Sequence, residues 1–180
     1  MKSLAFTLFI IGALITQNAT AETVAGYTFE KYPAKIYTGK KAPLKLGEWR
    51  LFRTRITDAY KHGEIGFGGS YVVTMWGCGT GCISGAMIDK KTGTVYGLPV
   101  GEDTPLELGC YSVEDEMTDE RLHFYPDSRL FITRNCEQEQ IAETDTAIQK
   151  LTYFVNVWNE KTKKFELIKE VKQSKTVTTE

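Results

Sequence analysis

The alternation of apolar and polar positions in the middle of the chain predicts antiparallel strands. A β-branched and aromatic run occupies residues 71–76, and a second apolar stretch at 83–98 is interrupted by the turn sequence "KKTG". Further on, strand-forming residues flank Pro126-Asp127-Ser128 in "RLHFYPDSRLFIT". Gly, Pro, Asp and Ser are the residues that tight turns favour. Two hairpins are therefore predicted, one over 83–98 and one around 126–128.

A third pair of strands is predicted near the carboxyl end. The runs "KLTYFVNVW" (150–158) and "FELIKEV" (165–171) are separated by the turn sequence "NEKTKK". Because side chains alternate across a strand, the first run has one fully apolar face and one partly apolar face. The closing residues, 173–180, lack apolar anchors and are predicted to form a flexible tail.

Helical spacing occurs at residues 51 to about 62. Its apolar positions are Phe52, Ile56, Ala59 and Tyr60. Gly63 is placed to end the helix. Residues 22–45 contain two prolines and several lysines and are predicted to be an irregular lead-in. The order of elements favours an α+β fold. We expect a single domain over 22–172, a twisted, mainly antiparallel sheet with one amphipathic helix packed on it.

The amino terminus has the pattern of a secretory signal peptide. Lys2 precedes the apolar run "LAFTLFIIGALI", and small residues at Ala19 and Ala21 stand where a signal peptidase reads. The run is shorter than the roughly 20 apolar residues of a membrane span. We expect residues 1–21 to be removed near Ala21 and the protein to be periplasmic or secreted, with no membrane span in the remaining chain.

The charges are nearly balanced overall but unevenly distributed. Without Lys2, 21 basic residues face 23 acidic ones, and nothing in this balance points to a nucleic-acid partner. Lysines are frequent in 31–45 and 161–175, whereas "VEDEMTDE" (113–120) is strongly acidic. Such runs are usually solvated loops. The alternative is an acidic lip that attracts a basic protein.

Four cysteines lie beyond the predicted leader, at Cys78, Cys82, Cys110 and Cys136. An even number in an exported chain indicates two disulfides. The glycines between Cys78 and Cys82 let the backbone fold back, which favours the pairs Cys78–Cys82 and Cys110–Cys136. Crossed pairings stay open, because bridging depends on distances that a sequence does not contain.

Catalytic signatures are weak in this sequence, so no catalytic residue and no cofactor is predicted. Cys78 and Cys82 are separated by three residues, whereas thiol-redox pairs are usually separated by two. The two histidines, His62 and His123, fall in a predicted helix end and a predicted strand, which disfavours a metal site. "GGSYV" around Ser70 lacks the second glycine of a nucleophile elbow. Carboxylate pairs that could act in glycoside hydrolysis are Glu102 with Asp103 and Asp115 with Asp119.

The segment "WGCGTGC" has the composition of a recognition loop. The candidate binding residues are Trp76, Gly77, Gly79, Thr80 and Gly81. The glycines allow a partner to approach the backbone, and a disulfide would lower the ordering cost of binding. Trp is enriched at binding hot spots. A second interpretation stays open: the glycines and the bridge form a sharp corner between strands, and Trp76 belongs to the core.

The region from Phe52 to Ile168 resembles a family of small exported proteins of Gram-negative bacteria with a Trp-Gly-Cys-Gly-Thr-x-Cys core. The matching residues here are Trp76, Gly77, Cys78, Gly79, Thr80 and Cys82. Members often have histidine before the tyrosine, where this chain has Ser70, so a role for that histidine does not carry over. The resemblance implies export and the extent of the domain, and it implies no activity.

The same region is also similar to the periplasmic inhibitors of vertebrate lysozyme. Those proteins have a strand, a short disulfide-closed loop and a return strand. The corresponding features are residues 71–75, Cys78, Cys82, Ala86, Gly93 and Gly97-Leu98. Those inhibitors insert a histidine-containing loop into the lysozyme cleft, whereas this loop is shorter and has no histidine. The likeness concerns the fold, and function belongs to sites.

Together these patterns predict an exported binding protein that contacts a protein partner through its disulfide-closed loop. An inhibitor or immunity-type protein for a cell-wall lytic enzyme is the most concrete form of this hypothesis. The alternatives are a thiol-redox or metal-binding envelope factor that uses Cys78 and Cys82, and a structural envelope protein.

Overall fold

The structure, a computed structural model, describes residues 22–79, 82–101, 110 and 121–179. Within them the elements are β1 (Thr23–Val24), β2 (Tyr27–Thr28), α1 (Arg53–His62), β3 (Tyr71–Gly79), β4 (Cys82–Asp89), β5 (Val95–Gly97), β6 (Leu122–Phe124), β7 (Leu130–Gln140), β8 (Thr146–Asn159) and β9 (Lys164–Thr178). All strand pairs are antiparallel. The predicted α+β class is confirmed. The predicted leader, 1–21, lies outside the described residues.

The strands form two main sheets that face each other. One has the order β3-β4-β5 and the other the order β6-β7-β8-β9. The three predicted hairpins are present as β4–β5, β6–β7 and β8–β9. β7 begins with four consecutive buried residues, 130–133, so both of its faces are covered there. A strand buried on both faces needs a packing layer on each side.

The space between the two sheets is filled mainly by aromatic rings. Phe67, Tyr71 and Met87 from one side pack with Phe131 and Trp158 from the other, and all are buried. Neighbouring rings meet edge-on, as in Tyr71–Trp158, where the centroids are 5.4 Å apart. Large rings bury much apolar area and prefer such geometries. This layer fixes the three-stranded sheet, and with it β3, against the rest of the molecule.

Helix α1 packs on the outer face of the three-stranded sheet. Its buried residues, Ile56 and Tyr60, contact Val72 and Ile88. The helix ends where predicted, because the Gly63 N–H donates to the carbonyl oxygen of Ala59 at 2.7 Å. It begins later than predicted: Gly47–Phe52 is a 3-10 helix, and the α-helical hydrogen bonds begin at Arg53.

The lead-in segment covers the outer face of the four-stranded sheet. Phe29 is buried against Leu130, Ile132 and Val155. The Ser128 hydroxyl donates to the Phe29 carbonyl oxygen at 2.8 Å and so holds the segment on the turn before β7. The predicted irregular lead-in therefore has a packing role, although its only strands within 22–45 are the two-residue β1 and β2.

The carboxyl end differs from the prediction of a flexible tail. β9 continues to Thr178, and Val177 is buried and paired with Ala147. The backbone N–H of Thr179 donates to the carbonyl oxygen of Asp145 at 2.9 Å. The prediction for 173–178 was wrong because β8 begins at Thr146 and offers a full row of backbone partners, which polar residues use as well as apolar ones.

Candidate functional site

The candidate site is the end of the β3–β4 hairpin that carries Cys78 and Cys82. Cys78 and Cys82 form a disulfide with a Cα–Cα distance of 5.1 Å, and Cys110 pairs with Cys136. Both predicted pairs are confirmed. The strand register shifts between Gly77 and Gly79, and Gly79 then pairs with Cys82. Gly79 has φ +143°, a conformation that side chains with a Cβ rarely adopt. The bond and the glycine together fix the path of the backbone.

The predicted binding residues occupy different environments. Gly77, Cys78 and Gly79 are all exposed. Thr80 and Gly81 lie outside the described residues. Trp76 is only 7% exposed and packs in the core cluster with Ile56 and Val72. Trp76 is therefore a core residue, as the second interpretation of the sequence proposed, and its ring packs beneath the hairpin.

A groove lies on each face of the hairpin end. The first measures about 350 Å³ and is lined by Phe52, Trp76, Gly77, Cys78 and Ser84. The second measures about 540 Å³ and is lined by Met75, Trp76, Gly77, Ile83, Arg121, Leu122 and Phe124. Trp76 pairs with Ser84 and Gly77 with Ile83, so the alternation of side chains sends neighbouring positions to opposite grooves. A partner that holds the tip can therefore place side chains on both faces.

Several residues that face this end were missed by the sequence reasoning. Met75 is 40% exposed beside the larger groove, and Phe52 is 36% exposed beside the smaller one. Leu51, next to Phe52, is 92% exposed. One signal could have identified Leu51: it falls outside the apolar stripe of the predicted helix.

The two histidines have structural surroundings. His62 Nδ1 lies 3.1 Å from Asp58 Oδ1, one helical turn earlier. His123 is buried in β6, where it pairs with Ile132. Among the described residues no three His, Cys, Asp or Glu side chains are grouped as metal ligands. The carboxylates considered for glycoside hydrolysis, at 102, 103, 115 and 119, lie outside the described residues, as does the acidic run 113–120.

The similarity of the chain to known proteins was compared at three levels. No family model matches it, and neither a curated protein nor a solved structure is significantly similar to it. The resemblances based on "WGCGTGC" therefore stay predictions. In the described parts of the chain, no helix is long and apolar enough to span a membrane.

Proposed function

We propose that the protein is an exported binding protein that recognises a protein partner with the end of the β3–β4 hairpin. The observation that carries this proposal is the closed Cys78–Cys82 bond at an exposed hairpin end between two grooves. Both disulfides are compatible with export, as is the signal-like amino terminus.

The hairpin end has the physical properties of a preorganised binding element. The disulfide joins the ends of β3 and β4 across only three intervening residues. The register shift between Gly77 and Gly79 sets how the two strands pair at this end. Trp76 anchors the same strand in the core. Association costs free energy for each segment that becomes ordered, so a segment that is already rigid binds with a smaller penalty.

An inhibitor or immunity-type protein for a cell-wall lytic enzyme is the concrete form of the proposal. It is motivated by the predicted resemblance to the periplasmic lysozyme inhibitors, which also present a disulfide-closed loop after a strand. The loop here is shorter and has no histidine, so contact would come from the hairpin backbone and from side chains that enter the two grooves.

Inhibition assays with several lysozymes and peptidoglycan amidases test this form. We expect at least one enzyme to be inhibited at micromolar protein and the inhibition to weaken by about tenfold or more in Gly77→Trp, because position 77 projects with Met75 and Ile83 and the new ring fills the larger groove. A Cβ at Gly77 has no atom nearer than the Cys82 carbonyl oxygen at 4.0 Å, so the fold should tolerate the change. Ser174→Trp, at an exposed position on β9, is the control. If no enzyme responds, the inhibitor form is abandoned.

A second candidate, thiol exchange, is favoured by the exposure of Cys78. Alkylation and peptide mass mapping before and after mild reduction distinguish the two. A structural disulfide resists reduction to potentials below about −300 mV. If Cys78–Cys82 stays closed under mild reductant, the hairpin is a rigid binding element; if it opens before Cys110–Cys136, thiol exchange becomes the better proposal.

A further inference from the structure

A basic and apolar segment adjoins the smaller groove. The 3-10 helix Gly47–Phe52 leads directly into α1, and every residue from 50 to 55 is exposed. This stretch reads Arg-Leu-Phe-Arg-Thr-Arg. Leu51 is the most exposed large apolar side chain among the described residues. Burying a leucine side chain lowers the free energy by about 1.5–3 kcal/mol. A partner that covers Leu51 therefore gains binding free energy.

Phe52 connects this segment to the hairpin. Its ring stacks on Trp76 with centroids 4.6 Å apart and an angle of 25° between the planes. It also lines the smaller groove together with Gly77 and Cys78. Arg50 and Arg53 are exposed and lie within two residues of Phe52 in the chain, so they are the positive charges closest in sequence to this groove.

The charges of the segment are not neutralised by its neighbours. Arg50, Arg53 and Arg55 form no salt bridge within the described part of the chain. Residues 47–57 contain only one acidic residue, Glu48. Asp58, the next acid along the helix, is bonded to His62. Unpaired arginines beside an apolar groove attract carboxylates, which their planar guanidinium groups bind through two parallel hydrogen bonds.

We infer that the partner of this site is a protein with an acidic surface, and that one of its apolar side chains enters the groove between Phe52 and the hairpin end. Carboxylates around that side chain pair with Arg53 and Arg50, whereas Arg55 lies on a different face of α1 and adds to the positive charge of the segment. The inference rests on the proposed function and specifies the chemistry of the partner. Arginine is a frequent hot-spot residue, and complementary charge speeds association and excludes basic competitors.

A protein fits this site better than an anionic membrane does. The groove is concave and measures about 350 Å³, which suits one inserted side chain. A bilayer surface instead takes up protruding apolar groups, and stable attachment needs a larger apolar contribution than one exposed leucine supplies.

Selection from a phage-displayed library of random dodecapeptides on the disulfide-closed protein tests the inference. We expect the selected peptides to share an aromatic or large aliphatic residue flanked by Asp or Glu. Binding of the synthesised consensus peptide should weaken by about tenfold or more in Arg53→Glu and with added salt. A negative charge at the start of a helix is favourable, so this variant should keep its fold. Lys172→Glu on β9 is the matched charge reversal away from the site.

The other outcomes separate this inference from the proposed function. Ser84 lines the smaller groove, so Ser84→Trp obstructs that groove and Gly77→Trp the larger one. Peptides that lose binding in Ser84→Trp but carry no acidic residues, or that bind Arg53→Glu equally well, overturn the acidic partner and leave the hairpin end as the binding site. Peptides unaffected by both tryptophan variants, or a library that yields no binder, contradict the inference and the proposed function. Arginine-dependent binding to vesicles of phosphatidylglycerol, without any acidic peptide, would replace the protein partner with a membrane surface.

Discussion

The hydroxyl of Tyr71 joins three polar side chains at the edge of the aromatic layer. It accepts hydrogen bonds from Trp158 Nε1 at 2.9 Å and from Lys163 Nζ at 3.1 Å, and it donates to Glu160 Oε2 at 2.9 Å. Lys163 also pairs with Glu160. The network ties β3 to the end of β8 and to the turn before β9, so a single residue links the two sheets through polar contacts as well as packing.

Tyr71→Phe is expected to destabilise the protein by about 1–3 kcal/mol, because the buried Trp158 N–H loses its acceptor. Urea unfolding measures the change. Tyr96→Phe is the matched control: its ring packs 5.3 Å from Trp158, but its hydroxyl has no hydrogen bond among the described residues. Equal losses in both variants would contradict the role of the network.

Burial, and next the charge of Glu160, raise the pKa of Tyr71 above its usual value. The folded protein therefore holds this proton at a pH where the unfolded chain, with a pKa near 10, releases it. The contribution is fully present below about pH 10 and is lost as pH rises further, at up to about 1.4 kcal/mol per pH unit. We expect the unfolding free energy of the wild type to fall more steeply above pH 10 than that of Tyr71→Phe. Parallel pH profiles would count against this assignment.

At the scale of elements, the β4–β5 hairpin shows how a turn also fixes the lead-in segment. Asp89 caps the turn by accepting from the Lys91 N–H at 2.9 Å, and Gly93 follows with φ +74°. The Gly93 carbonyl oxygen accepts from the Lys45 N–H at 2.8 Å, and a Cβ at Gly93 would collide with the Pro43 carbonyl oxygen. The glycine is needed both for the turn and for this close approach.

Gly93→Ala should lower the unfolding free energy by about 3 kcal/mol, the sum of a left-handed alanine and a backbone collision. Gly26→Ala is the matched control, because φ is +82° and nothing lies within 4 Å of its added Cβ. That variant should lose about 1 kcal/mol. Urea unfolding of both proteins measures the difference. Comparable losses of stability would show that the lead-in segment moves to make room for the new methyl group, and would contradict the predicted collision.

β9 is an edge strand with features that discourage pairing with other chains. Ile168 forms a bulge, since Val155 pairs with Lys169 and Asn156 with Leu167. Lysines recur along the strand at 164, 169, 172 and 175. Bulges and lysines are common protections of sheet edges. The sequence pattern of this strand therefore serves solubility as well as pairing.

Lys169→Val with Lys172→Val is expected to promote self-association, because it leaves a β-branched edge with little charge. Sedimentation velocity over a range of concentrations measures the change. The same pair of changes at Lys31 and Lys35, both exposed in the lead-in, should leave the protein at its wild-type association state. Association in the control but not in the β9 variant would contradict the protective role.

At the scale of the whole molecule, four layers stack in the order α1, three-stranded sheet, four-stranded sheet and lead-in segment. The two disulfides have different positions in this stack. Cys78–Cys82 joins residues 4 positions apart at the exposed hairpin end. Cys110–Cys136 joins residues 26 positions apart, and Cys136 is buried in β7. One bond shapes the site, and the other restricts the unfolded chain.

Replacing Cys110 and Cys136 by alanine should cost about 3 kcal/mol of stability, and replacing Cys78 and Cys82 about 2 kcal/mol, because a longer closed loop removes more unfolded-state entropy. Urea unfolding with mass spectrometric proof of the remaining bond measures both. The second pair of changes should weaken partner binding more than the first. The reverse order in either measurement would contradict this division of roles.

The sequence by itself determined the local elements. The hairpins, the end of α1 and the Cys78–Cys82 pair depend on neighbouring residues, such as Gly63 after the helix and the glycines between the two cysteines. The sequence favoured Cys110–Cys136 but left crossed pairings open, since these cysteines are 26 positions apart. Period-2 alternation also identified the apolar face of β8, where Val155 and Val157 are buried. These patterns depend on residues that are close in sequence, so they can be recognised without knowing the rest of the fold.

Only the tertiary structure decided how the strands divide and what the site contains. Alternation shows that a face is buried but not which layer covers it, so two facing sheets and a covering lead-in could not be distinguished from one sheet. Trp76 is in the core because Phe52 and α1 cover it, and the groove exists because Phe52 stacks there. The same contact joins the segment of Phe52 to the hairpin, a proximity set by packing between residues more than 20 positions apart in the chain.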